Sequence, residues 1–321
     1  MASILRNNRY FRPLFIFRDW LMKNVGGFIL KRKTKNAFFL KKITFEDTIL
    51  KFKISQQIKR LPLNMLSCKG DKTDIIVSLT SYGNRVKDTT PYTLYSIFTQ
   101  SRLPNKVVLW LDNEHWTDDN IPSLIKRLIK SGLEVHYCED IKSYKKLLPT
   151  LKQFPENPII VIDDDMYYPN YLVQDFVACY LSSDKRTIFA SCANIPEKKL
   201  GKYIPYAEWK GDEYAEANTE VALIGCGGGM YPPGIFDSEI FNKDIYMSLA
   251  PTADDLWFWV QSKRMGISVR LIEKHGYHLL RPVNRIEDYD VQNADNLTQT
   301  NVVLGKNEQQ FEKLLSYYHI D

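Results

Sequence analysis

Three consecutive carboxylates, Asp163, Asp164 and Asp165, close the apolar run Pro158-Ile159-Ile160-Val161-Ile162 and are followed by Met166-Tyr167-Tyr168-Pro169. Side chains alternate along an extended strand, so Asp163 and Asp165 would share one side and Asp164 would face the other. Like charges that close repel one another unless they are protonated, solvated or neutralised, and a hard divalent cation with oxygen ligands neutralises them. Mg²⁺ or Mn²⁺ carrying a diphosphate fits such a group. A solvated acidic turn capping the next helix is the plainer account, and the triplet alone leaves both open. A second pair, Asp254-Asp255, precedes Leu256-Trp257-Phe258-Trp259. Here the choice lies between a helix N-cap favoured by the helix dipole and a carboxylate that takes a proton.

Other residues with chemistry to offer are spread more widely. Lys145 and Lys146 would reach phosphate or lie on a solvated helix face. The run Gly225-Cys226-Gly227-Gly228-Gly229 lacks a dinucleotide-binding spacing; Gly227 and Gly228 suit close backbone approach to a sugar, or a bulged strand. Trp209 and Tyr206, in a polar stretch before the glycines, would offer aromatic platforms to a sugar face or pack inside.

The elements that would position these groups read as an alternation. Residues 74–80, 106–111, 133–137 and 158–162 are short apolar runs with strand character. Helical stretches lie between them, over 89–100 with Pro91 in the first turn, 118–131 closed by Gly132, and 143–154. Strands alternating with helices imply an α/β fold with a mostly parallel sheet covered on both faces, whose ligands sit beyond the carboxyl ends of the strands. Beyond it, helices are expected near 171–182, 254–265 and 308–319, and strands near 187–192, 221–226 and 268–272. Met230-Tyr231-Pro232-Pro233-Gly234 reads as a turn.

Charge divides the chain unevenly. Residues 1–60 hold 15 Lys/Arg against 3 Asp/Glu, leaving 28 against 35 in the remaining 261. Aromatic and aliphatic residues interleave with the cations in this first segment, as in Arg9-Tyr10-Phe11-Arg12 and Leu14-Phe15-Ile16-Phe17-Arg18. No apolar run approaches the roughly 18 residues of a spanning helix. An interfacial segment at an anionic membrane and a basic helical pair packed on the body both fit; nucleic acid fits less well, because the aromatics keep aliphatic company. Five scattered cysteines with no C-x-x-C pair argue for a reducing cytoplasm and against a zinc site or disulfide frame.

The order of the loop Thr80-Ser81-Tyr82-Gly83-Asn84-Arg85, the triplet ending the fourth strand, the glycine run and Ala253-Asp254-Asp255-Leu256-Trp257-Phe258 resembles the GT-A glycosyltransferases, bacterial family 2-like, over roughly residues 73–280. The resemblance implies a Rossmann-like GT-A domain over 73–280, a basic aromatic extension over 1–72 and a C-terminal tail and helix over 281–321. It implies donor-nucleotide contacts at Thr80, Tyr82, Arg85, Lys145, Asp163 and Asp164, with Tyr82 against the base and Arg85 against phosphate. It implies Mn²⁺ or Mg²⁺ at Asp165, with Asp163 on metal or ribose and His275 as a late ligand; His278 lies close by in sequence. Asp255 would be the base of an inverting transfer and Asp254 its neighbour, while Gly227, Gly228 and Trp209 would meet donor sugar or acceptor. This chain reads Ala253-Asp254-Asp255 where relatives often carry Glu-Asp. The implied partners are a nucleotide-sugar and a surface-glycan or lipid-linked acceptor of the lipopolysaccharide or capsule kind. The implied place is the cytoplasm, peripheral on the inner face of the membrane through residues 1–40. A nucleotidyltransferase is the enzymatic alternative, although Ser81 to Arg85 lacks its glycine- and lysine-rich loop. A noncatalytic glycan- or membrane-binding protein on the same fold is the other.

Overall fold

The computed structural model describes residues 32–66, 74–285, 301 and 305–320. The basic aromatic stretch ahead of Arg32 therefore lies outside the described residues, as does most of the segment between 286 and 304. By its contacts the chain falls into two units, Met1–Glu46 and Asp47–Asp321.

Seven strands make the central sheet: β1 (Ile76–Thr80), β2 (Lys106–Asp112), β3 (Leu133–Cys138), β4 (Ile159–Val161), β5 (Ile188–Ala190), β6 (Gly229–Tyr231) and β7 (Val269–Leu271). They lie in the order β7-β5-β6-β4-β1-β2-β3. All neighbouring pairs are parallel except the two that β6 makes with β4 and β5. The expected α/β architecture, a mostly parallel sheet flanked by helices, is thus what forms.

The strands are apolar on both faces because both are covered. Val77 and Leu79 of β1 join Leu109, Ile160 and Ile162 in one core, while Ile76 faces the other way with Val108 and Trp110, the period-2 alternation of a pleated strand. Ile54 and Ile58, from the later part of helix α1 (Arg32–Arg60), fill the first core with Leu94, Ile97 and Phe98 of helix α2 (Thr90–Phe98).

Three elements depart from the sequence reading. The helix expected over 118–131 forms only at Ser123–Ile129, because Pro122 sets its start. The helix expected over 143–154 splits into a tight 3-10 turn, Lys142–Lys146, and helix α3 (Leu148–Gln153), with Pro149 in the first turn of the latter. Of the glycine run, read as close backbone approach to a sugar or a bulged strand, only Gly229 joins Met230-Tyr231, read as a turn, in the antiparallel strand inside the sheet, and the earlier Ala222–Leu223 belongs instead to a small three-stranded sheet. Glycines hide a strand because they carry no apolar side chain to show the period. Gly229 lies against Leu223 and Gly227 against Cys192, both closer than a Cβ would allow.

Candidate active site

The carboxyl ends of β1 and β4 lie side by side, so the loops that leave them meet. Strand β4 stops at Val161 and the backbone bends at Asp164 and Asp165. The alternation expected for the triplet is therefore not what occurs: Asp164 and Asp165 share one cation and Asp163 turns to another. Arg85 Nη1 lies 2.9 Å from Asp164 Oδ1 and 2.9 Å from Asp165 Oδ2. Asp164 is buried; burial raises its carboxyl pKa, against the pull of Arg85 and a hydrogen bond from Ser81 Oγ. Thr90 Oγ1 donates in turn to Ser81 Oγ at 2.7 Å. The guanidinium of Arg85 also sits 5.4 Å from the ring centre of Tyr82, which stays exposed. Thr80 Oγ1 donates to Trp110 O at 2.9 Å, pinning the end of β1 to β2.

The second acidic motif opens helix α4 (Asp254–Arg264), which is buried almost all round. Two indole N–H groups fix its approach: Trp257 Nε1 donates to Ile240 O at 3.3 Å and Trp259 Nε1 to Val221 O at 3.2 Å. This places Asp254 and Asp255 within reach of the triplet, and Lys146 joins the two motifs. Its ammonium lies 3.0 Å from Asp163 Oδ1, 3.1 Å from Asp254 Oδ2 and 3.5 Å from Asp255 Oδ1. Burial disfavours that ammonium, but Asp163, Asp254 and Asp255 together outweigh it and hold the Lys146 pKa well above its ordinary value. Asp255 keeps 29% of its side chain exposed and accepts the Gly225 N–H at 2.7 Å through Oδ2. Desolvation first, and the charges of Asp254 and Asp163 after it, push its pKa up to about 7 despite Lys146.

The position of Lys146 follows from what surrounds it in the chain. Tyr144, Leu147 and Leu148 are core residues, and Thr150 accepts from Trp110 Nε1 and pairs with Ser78 Oγ, both at 2.7 Å. The 3-10 turn is thereby clamped against the sheet with Lys146 aimed past its carboxyl edge. On the other flank, Tyr168 Oη accepts the Asp163 N–H at 3.0 Å and donates to Cys226 O at 2.8 Å, tying the triplet to the glycine run.

Sequence reasoning set Lys145 and Lys146 near phosphate or on a solvated face; both are buried, and Lys145 pairs with Asp140. Trp209 is no open platform. Its ring packs 4.9 Å from Tyr206, 4.9 Å from Phe311 and 5.5 Å from Trp259. Gly227 and Gly228 meet the chain itself, at Cys192 and at Val161 O. His275 follows β7, its Nδ1 3.0 Å from Ile272 O, and among the described residues no three His, Cys, Asp or Glu side chains converge as a ready-made metal centre. Ser81, Tyr168 and the bridging role of Lys146 were missed. Only Lys146 left a signal, a lysine set directly against Leu147-Leu148.

No family model matches the sequence and no curated protein matches it. Among solved structures, the chain is similar to glucosyl-3-phosphoglycerate synthase from Mycobacterium tuberculosis, at 15% identity and a TM-score of 0.45 over 81% of this chain and 88% of that one. It is similar also to the mannosyltransferase PcManGT from Pyrobaculum calidifontis, at 13% identity and a TM-score of 0.40 over 88% and 81%. A CMP:2-keto-3-deoxy-manno-octonic acid synthetase matches at 11% identity and a TM-score of 0.38 over 62% and 88%. At such identities and scores the likeness carries no activity across.

Proposed function

We propose that the chain is a metal-dependent glycosyltransferase that moves a sugar from a nucleotide donor to an acceptor hydroxyl with inversion. One observation carries the reading: two acidic motifs about ninety residues apart in sequence meet on a single ammonium at the carboxyl edge of a mostly parallel sheet. That edge is where such sheets bind ligands.

On this reading Tyr82 stacks on the base and Arg85, already between Asp164 and Asp165, faces the diphosphate. The protein offers carboxylate oxygens without a closed cage. That suits a cation of the Mg²⁺ type, which takes one or two carboxylates together with substrate phosphates. Asp165, assisted by Asp163, would hold it, and when bound it would neutralise the leaving diphosphate. Asp255 takes the proton of the acceptor hydroxyl. Its partial exposure gives an acceptor access, the Gly225 N–H fixes one oxygen, and a pKa of about 7 suits a base working near neutrality. Asp254, almost enclosed at the helix start, helps anchor Lys146. We extend the proposal to a surface-glycan or lipid-linked acceptor, which the basic aromatic residues 1–40 would bring close by meeting an anionic membrane. Among the described residues no helix is long and apolar enough to cross one.

The test is a thermal-shift panel of UDP, GDP, CMP and dTDP, each with and without Mn²⁺, on the wild type and Asp165→Ala. A ligand at ~100 times its dissociation constant adds about 2.7 kcal/mol of stability. One nucleotide stabilising only with metal and only with Asp165 present is the expected result. No shift in any combination would move the noncatalytic reading to the front.

A further inference from the structure

Lys146 is enclosed, with 5% of its side chain exposed, yet its ammonium donates to Asp163 Oδ1 at 3.0 Å and lies within ion-pair distance of Asp254 and Asp255, so it faces carboxylates of both acidic motifs. A buried charge is tolerated only when it is paired this fully. The backbone opposite makes room for it: a Cβ on Gly225 would lie 2.6 Å from Lys146 Nζ and 2.9 Å from Asp255 Oδ1. Tyr144 and Tyr231, both fully buried, belong to the core on the same side, so the ammonium has little freedom to leave.

We propose that Lys146 is a built-in cation of the transfer site, its ammonium positioning Asp255 against the donor-side carboxylate Asp163 and taking the place that a second divalent ion would otherwise fill. The inference rests on the transferase reading for what Asp255 does, but the occupancy of that place by an ammonium is independent of it. Asp163, Asp254 and Asp255 each bring one oxygen within 3.5 Å of the Lys146 ammonium, a spacing that cradles an ammonium and is not a ready-made metal centre; only removal of the lysine would let the three close on a hard cation. With the lysine there, the structure needs no second metal to hold these anions together. Lys146 is accordingly a positioning residue, acting through Asp255.

Two variants separate this role from mere packing. Lys146→Met fills the space without charge, whereas Lys146→Ala empties it for an ion. Mn²⁺ alone is titrated into each, and into wild type, with free Mn²⁺ read by electron paramagnetic resonance; melting curves check that each is folded. Lys146→Ala is expected to bind one Mn²⁺ more than wild type, and adding Asp255→Asn should remove that ion; Lys146→Met should gain none. In turnover, both should lose about 100-fold in kcat, the scale of a misplaced catalytic group, with the donor KM little changed. Raised Mn²⁺ should restore part of it to the Ala variant only. Wild-type kcat in Lys146→Met, or no added Mn²⁺ in folded Lys146→Ala, would overturn the proposal. Should Lys146→Ala not fold, the kcat of the Met variant decides. A wild type that transfers no sugar would sink the transferase reading, while the Mn²⁺ titration would still report whether Lys146 occupies a cation's place.

Discussion

At the scale of single residues, Asp255 is the base proposed for the transfer, and holding it there has a cost. Its carboxyl titrates at about 7 in the fold, against about 4 for an unperturbed aspartate. A base works only when ionised, so kcat/KM should fall below about pH 7, by close to tenfold per pH unit well below it, in a profile of rate against pH. The same shift has the opposite sign for stability. Between about pH 4 and 7 the folded chain keeps a proton that the unfolded chain releases, so stability contributed at low pH is lost as pH rises through that window. Asparagine cannot ionise, and Asp163 and Asp254 remain to pair Lys146. Asp255→Asn should therefore abolish transfer, leave nucleotide binding intact, and melt higher than wild type at pH 8 while losing that advantage near pH 4. Retained turnover would remove Asp255 from its role. That the triplet needs neutralising was legible, because three carboxylates end an apolar run. Which cation neutralises each was not, since Arg85 and Lys146 stand far off in sequence and the bend after Val161 breaks the alternation that strand periodicity supplies.

At the scale of elements, the glycine run does more than close a turn. Gly225 lies at the mouth of β6 beside the carboxylates, whereas Gly234 lies past the other end of that strand, beyond the residues that pair with the start of β4. Alanine at each position should separate site from scaffold. At Gly225 the added methyl would lie 2.6 Å from Lys146 Nζ and 2.9 Å from Asp255 Oδ1, so the enclosed ion pairs must shift to admit it. Stability should fall as the buried ion pairs are disturbed, and turnover should drop about 100-fold, as expected when a reacting group moves by about 1 Å. At Gly234 nothing lies within 4 Å, but φ is +65°. Alanine there should cost roughly 1–2 kcal/mol of stability from left-handed strain and leave turnover unchanged. Denaturant titration and initial rates on the pair would check both. The four leading strands and α4 were readable from periodicity, because apolar β-branched runs and Trp-rich helices advertise burial. The antiparallel β6 was not, since Gly229-Met230-Tyr231 shows one large apolar side chain and an aromatic that reads equally well in a turn.

At the scale of the whole molecule, the charge imbalance has a physical consequence separate from the sheet. The first 31 residues carry Arg6, Arg9, Arg12, Arg18, Lys23 and Lys31 against Asp19 alone, with Tyr10, Phe11, Phe15, Phe17, Trp20 and Phe28 among them. Residues 32–60 add nine Lys/Arg against Glu46 and Asp47, and the chain beyond residue 60 holds 28 cations against 35 anions, so the attraction for an anionic surface belongs to the first 60 residues. Each cation near such a surface contributes about 1 kcal/mol, and aromatic rings settle at the headgroup boundary. The electrostatic share is screened by salt, over a Debye length of about 8 Å at physiological ionic strength, whereas the aromatic share is not. The full chain should therefore sediment with vesicles containing phosphatidylserine and stay in solution with neutral ones, and binding should weaken, without vanishing, as salt is raised from 0.1 to 0.5 M. A chain beginning at Arg32 loses six cations and six aromatics but keeps the nine cations of residues 32–60, so it should bind more weakly, and what binding remains should be more sensitive to salt, while its nucleotide-induced thermal shift persists. Equal sedimentation of the two chains would assign membrane contact to the residues from Arg32 onward and would leave the cations ahead of Arg32 without a lipid partner.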